Sequence, residues 1–164
     1  VIDWLIEAKK LDIKNIGIHA VSGGTLPTQF LMAERSDIPA FSLDSPVFDF
    51  EEIVKSELRW NGIPPIIWRL AVFMGKLHGI DIYEKTPRDG IQKIGNRALM
   101  VMHGTDDTRV PFLHSERLVK FASSLGKEVK FIVNNNSDHN EALLMEPELI
   151  RKNLIEFFEK NLTN

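Results

Sequence analysis

Ile16-Gly17-Ile18-His19-Ala20-Val21-Ser22-Gly23-Gly24-Thr25 passes without a spacer from an apolar run into a pair of glycines. A run that is apolar almost throughout, rather than alternating, suits a strand covered on both faces in a parallel sheet. Helical periodicity follows over roughly residues 24–36. The chain must therefore turn sharply between strand and helix, with Ala20 two residues before Ser22 and Gly24 two after it. Small side chains at those flanks let the turn close, and the turn lifts the Ser22 hydroxyl above the end of the sheet. Taken alone, the same residues also describe a tight turn with a capping serine.

Three more short apolar runs lie downstream: Ala40-Phe41-Ser42-Leu43, Ala98-Leu99-Met100-Val101-Met102 and Val129-Lys130-Phe131-Ile132-Val133. The last alternates somewhat, which suits a strand nearer an edge. Helical patterns at roughly 112–125 and 145–162 are long enough to serve as crossovers. Strands alternating with helices predict an α/β fold with a mostly parallel sheet and flanking helices. There is no internal repeat, and Asn134-Asn135-Asn136 is a turn. More than fifty residues separate the second run from the third, more than a crossover helix needs. The stretch 46–97 therefore reads as a cap-like helical insert within a single domain spanning 1–164. It carries Trp60, Pro64-Pro65, Trp68, Phe73 and Met74, and the spacing of Ile67, Leu70, Ala71 and Met74 predicts a helix after the proline pair. It could form a lid, a wall of a substrate pocket or another packed helix.

Two polar stretches stand at the ends of the later strands. His103-Gly104-Thr105-Asp106-Asp107-Thr108-Arg109-Val110-Pro111 follows the third, and Ser137-Asp138-His139-Asn140 follows the fourth. A carboxylate at the carboxyl end of a parallel strand sits where such sheets build their sites. Together with Ala20-Val21-Ser22-Gly23-Gly24, these stretches resemble the α/β-hydrolase fold family, in the chain order Ser, Asp, His. The tone is that of serine esterases and serine-aminopeptidase-like hydrolases. The family's G-x-S-x-G elbow has Ala20 at its first position here, and its H-G-x-x-D-x-x-V-P stretch places the acid at Asp107 rather than Asp106. The resemblance implies Ser22 as nucleophile, His139 as base and Asp107 as the acid that orients it. It also implies the backbone N–H of Gly23 as an oxyanion donor. The apolar insert in the overlong connection, at the end of the sheet where ligands bind, makes Trp60, Trp68, Phe73 and Met74 candidates for the substrate pocket. His103 reads as part of the His-Gly turn, and His19, His78 and His114 as structural.

The family's second oxyanion donor comes from a loop after an earlier strand, which these residues do not contain. Val1-Ile2-Asp3-Trp4-Leu5-Ile6 opens inside a helical pattern. The expectation is therefore a C-terminal portion of the fold, lacking its N-terminal strands. Those strands are the expected partner of the Ile16–Val21 run, and a homodimer through that edge is the alternative.

Composition narrows the function. Twenty Lys and Arg face 23 Asp and Glu, a net charge of −3, without the clustered basic surplus that nucleic-acid binding needs. The absence of Cys excludes thiolate metal sites and a cysteine nucleophile. No apolar run reaches the ~20 residues of a membrane helix, and the insert has few positive charges for an interfacial one. No metal or other cofactor is expected: His103, Asp106 and Asp107 are a poor ligand set, and Gly23-Gly24 lacks the lysine of a phosphate loop. Asn135-Asn136-Ser137 and Asn161-Leu162-Thr163 match glycosylation acceptors by chance, and a cytoplasmic location is the default. The expected reaction is cleavage of a carboxylic ester or related acyl bond in a small-molecule substrate. A catalytically silent binding protein, or an acyltransferase or peptidase on the same residues, are the alternatives.

Overall fold

The four apolar runs are strands, each beginning within one residue of its expected start: β1 (Gly17–Val21), β2 (Ala40–Asp44), β3 (Ala98–Gly104) and β4 (Lys130–Asn134). The computed structural model describes residues 1–162, so Thr163 of the second glycosylation match lies outside the described residues. The strands pair in chain order and all are parallel. The register sets Val21 beside Asp44, Asp44 beside Met102 and Gly104 beside Asn134. The carboxyl ends of all four strands consequently lie at one end of the sheet.

Successive side chains on a strand point to opposite faces, and both faces here are covered. Phe41 and Leu43 of β2 and Leu99 and Val101 of β3 join one core with Met32, Ile91, Leu118 and Ala122. Those partners come from α2 (Thr25–Glu34), α5 (Pro87–Gln92) and α6 (Leu113–Ser124). Ala40, Met100 and Met102 face the other way, onto Ile150 and Phe157 of α8 (Pro147–Asn161). This two-sided burial is why β2 and β3 read as continuous apolar runs rather than alternations. The outer strands β1 and β4 are only partly buried. The opening helix, α1 (Ile2–Lys9), buries no residue fully and packs Ile2 against the first core. A four-residue turn of helix, α7 (Ala142–Met145), leads into α8.

The long connection divides into three helices: α3 (Phe50–Trp60), α4 (Ile66–Leu77) and α5. Asp49 caps α3 by accepting the Glu52 N–H at 3.1 Å. Thr86 and Asp89 form a capping box at α5. α4 begins directly behind Pro64-Pro65, as the spacing of its apolar residues predicts. Only α5 belongs to the layered core. It approaches α2 so closely that a Cβ on Gly90 would overlap the Gln29 carbonyl, whereas α3 and α4 contain no fully buried residue. His114 fixes where this outer pair leaves the sheet, its Nδ1 accepting the Phe48 and Asp49 amides at 3.2 Å each. Among the described residues, no helix is long and apolar enough to cross a membrane.

Candidate active site

Ser22 follows β1 directly and adopts φ +51°, a left-handed conformation that non-glycine residues rarely hold. Such strain persists where surroundings over-determine it, and here they do. Thr25 Oγ1 donates to the Ser22 carbonyl at 2.5 Å and accepts the Val47 amide at 3.1 Å. Buried Gln29 donates to the Thr25 carbonyl at 3.1 Å and to that of Val47 at 2.8 Å. The turn is thus tied to the segment that follows β2. A Cβ at Gly23 or Gly24 would meet nothing within 4 Å. Crowding at the Gly24 flank, which the sequence suggested, is therefore not what shapes this turn; the conformation of Ser22 is. The Gly23 N–H lies in the opening turn of the helical segment, where amides lack an intrahelical acceptor and the dipole favours negative charge.

Across the sheet end, Asp107 sits with its side chain fully enclosed. Oδ1 accepts the amides of Arg109 at 2.9 Å and Val110 at 2.7 Å. Oδ2 accepts His139 Nδ1 at 2.8 Å and His103 Nε2 at 3.0 Å. Burial pushes the Asp107 carboxyl up, but the bonds from His103, His139 and Val110 outweigh it and hold it well below the ordinary carboxylate range. The other ring nitrogen of His139 lies 2.8 Å from Ser22 Oγ. Since Oδ2 can only accept, His139 Nδ1 carries the proton and Nε2 is free to accept from the serine hydroxyl. Asp107, His139 and Ser22 therefore form one hydrogen-bonded line, able to draw a proton off a serine hydroxyl while keeping the resulting imidazolium paired.

The loops bearing Asp107 and His139 are fastened to each other. Thr105 N–H donates to the Asn134 carbonyl at 3.0 Å and Asp106 N–H to that of Ser137 at 3.1 Å. Asp138 Oδ1 takes the Thr108 amide at 2.8 Å and the His139 amide at 2.7 Å. A Cβ on Gly104 would overlap the Ser137 carbonyl, so only glycine admits this approach. Asp106 is exposed and its carboxylate meets only the Thr105 hydroxyl, at 3.0 Å.

The pocket candidates separate. Trp60, 85% exposed, lines a cavity of about 370 Å³ with Ser56, Glu57, Thr108, Arg109 and His139. Trp68 is half-buried, edge-on to Phe50 with ring centroids 5.8 Å apart. Phe73 and Met74 lie on α4, 58% and 44% exposed, and do not line that cavity. Three residues around the site escaped the sequence. His103 is wholly buried and bonded to Asp107, Asp138 locks the two loops, and Asp44, at the end of β2, is buried and pushed up by that burial. The spacing His103 to Asp107 signals a turn; nothing in it signals a side-chain bond. Among the described residues, no group of three or more His, Cys, Asp or Glu side chains is arranged to hold a metal ion.

Residues 1–164 match, over their whole length, the family model described as the prolyl oligopeptidase family. No curated protein is detectably similar in sequence. Among solved structures, the chain is similar to an acylaminoacyl peptidase of Pyrococcus horikoshii (TM-score 0.72, 18% identity, covering 98% of this chain and 26% of that one). It is similar also to a puromycin-hydrolyzing peptidase of Mycobacterium tuberculosis (TM-score 0.74, 15% identity, 98% and 24%). A third is an esterase of Pyrococcus furiosus (TM-score 0.72, 18% identity, 99% and 59%). The fold is the α/β-hydrolase type, and the chain spans about a quarter of the two peptidases and three-fifths of the esterase.

Proposed function

The chain belongs to the prolyl oligopeptidase family, and from that premise we propose that it is the catalytic part of a serine hydrolase cleaving a carboxylic ester or a related acyl bond. The observation that carries this is the line Asp107–His139–Ser22, with both of its bonds at 2.8 Å. A serine hydroxyl is a weak nucleophile until a base takes its proton. His139 Nε2 accepts that proton as Ser22 Oγ attacks the acyl carbon, then returns it to the leaving group as the tetrahedral intermediate collapses to an acyl-enzyme. Water, activated by the same nitrogen, frees Ser22 by the reverse sequence. Asp107 holds the Nδ1–H tautomer and stabilises the imidazolium in both steps. The Gly23 N–H serves the oxyanion, a contribution worth roughly 2.7–4 kcal/mol per donor where one has been removed from a protease.

The substrate enters beside α3 and α4, with Trp60 on the wall nearest His139 and this outer helix pair, rather than the whole of 46–97, acting as a cap. Arg109 and Glu57 face each other at 3.5 Å on the rim of that cavity and give it a polar edge beside the apolar face of Trp60. Two of the three structures named above are peptidases. Along β1, we propose that further strands of the same fold cover the open edge and supply the second oxyanion donor. A polypeptide of residues 1–164 alone should self-associate in sedimentation; a stable monomer at high concentration would argue against that role for the edge.

Labelling of the full-length protein with a fluorophosphonate tests the main proposal. The expected adduct is on Ser22, and it disappears in Ser22→Ala. A folded protein that is inert to the probe is a binding module instead. Matched nitrophenyl esters and acyl-aminoacyl nitroanilides then separate esterase from peptidase by kcat/KM.

A further inference from the structure

We propose that His103 is a positioning residue for the acid–base pair, acting through Asp107; this rests on the roles assigned above to Ser22, His139 and Asp107. His103 is completely buried on β3. Its Nε2 lies 3.0 Å from Asp107 Oδ2 and 2.8 Å from the Val110 carbonyl. Both of those atoms only accept, so Nε2 carries a proton, and that one N–H is shared between them. In the neutral ring Nδ1 is then an acceptor, and Ser115 Oγ, 2.6 Å away and also fully buried, donates to it. Phe112 packs edge-on to the ring, 5.6 Å between centroids, and closes the remaining side. The imidazole has one orientation and one tautomer available.

The consequence lies in which oxygen His103 reaches. It donates to Oδ2, the oxygen that also receives His139 Nδ1, while Oδ1 is held by two amides. All four acceptor directions of the carboxylate are thereby filled. The second imidazole fixes Oδ2 along the direction in which His139 must lie. It also takes a share of the charge that Oδ2 would otherwise present to the His139 imidazolium. His103 therefore restrains both the geometry and the basicity of His139. Asp44 at the end of β2, His114 on α6 and Asp138 in the His139 loop are further titratable groups acting on this cluster. All three are left intact by the substitutions below.

The test compares His103→Leu, His103→Gln and Ser115→Ala in the full-length protein. It measures kcat and KM for an ester, and the rate of fluorophosphonate labelling, across about pH 5 to 9. Losing one hydrogen bond to a charged group should lower kcat in His103→Leu about 10-fold with KM unchanged. Its pH midpoint should rise, because an uncompensated Asp107 favours the charged form of His139. Glutamine places an amide N–H near the position of Nε2, so His103→Gln should recover most of kcat and the original midpoint. Ser115→Ala should show a smaller rise, and it decides the matter if His103→Leu does not fold. Folded His103→Leu or Ser115→Ala with the parent pH profile would overturn the proposal, as would a His103→Gln no better than His103→Leu. Wild-type protein inert to the probe would instead remove the hydrolase assignment on which the proposal stands.

Discussion

Asp107 and Ser22 stand at the same end of one sheet, 2.8 Å to either side of His139, yet their surroundings differ in kind. Asp107 is enclosed at the end of an inner strand, and every acceptor site it has is filled from within the chain. Ser22 follows an edge strand, is half-buried, and is followed by two exposed glycines. Its backbone is secured on one side only, through Thr25 and Gln29 to Val47. The Asp107 side of the proposed site is self-contained, while the Ser22 side takes its support from the helix behind it and leaves its strand edge open. Precision in such a site comes from locked neighbours more than from the reacting groups.

That contrast can be broken most severely at its two ends. Ser22→Ala should abolish turnover, and Asp107→Asn should lower kcat by about 10³–10⁴, because an amide in place of the carboxylate favours the wrong tautomer of His139. Asp106→Asn, whose side chain meets only Thr105, should stay within about twofold, since exposed substitutions away from special contacts change little. Steady-state kinetics on the three variants checks the ordering. A severe Asp106→Asn beside a mild Asp107→Asn would move the acid by one residue.

A smaller loss should follow from Gly104→Ala. The added methyl would overlap the Ser137 carbonyl and push the His139 loop away from Asp107. A displacement near 1 Å can cost about 10²-fold in rate. The expected outcome is a kcat reduced by about that factor with the melting temperature lowered as well, measured on the same preparations. The equivalent change at Gly24 meets open space and should cost far less.

The acid side also makes a prediction about stability. Asp107 has its carboxyl lowered in the folded chain, after the bonds from His103, His139 and Val110 overcome the effect of burial. A lowered carboxyl stabilises the fold above the unfolded-state value of about 3.9 and loses that contribution as pH falls below it. The contribution is on the order of 2 kcal/mol. Urea midpoints should therefore drop as pH falls from about 5 towards 2, and Asp107→Asn should flatten that drop. An equally steep drop in the variant would place the acid sensitivity elsewhere.

Much of this was legible in the residues themselves, and what was not has a common cause. β2 and β3 announced themselves because both faces are covered, and β4 because its alternation marked an edge. The order of Ser22, Asp107 and His139 was readable because each follows a strand, and parallel strands deliver their ends to one place. His103 and Asp138 were not readable. Their importance is a matter of which side chain reaches which atom across a loop, and neither spacing nor composition records that. The insert was legible as apolar and helical, but its division into α5, which packs in the core, and an outer pair, α3 and α4, depends on tertiary contacts.

The smallest effects belong to the outer pair, where the comparison between buried and exposed construction can be sharpened. Trp60 is the aromatic of this pair beside His139, and its exposure leaves little packing to lose. Trp60→Ala should leave the melting temperature almost unchanged, yet alter kcat/KM several-fold between short and long acyl substrates, because a methylene against an apolar wall is worth ~0.8 kcal/mol. Trp68→Ala should do the reverse, since that ring packs against Phe50 and stands away from the cavity. Phe73→Ala should change neither in the full-length protein. Chain-length series on the three variants, run beside thermal melts, separate the cases. A Trp60→Ala protein with an unchanged profile would take the cavity beside His139 out of substrate recognition. A Phe73→Ala protein with an altered profile would mean that α4 folds down over the site during turnover, which would make the cap a moving part.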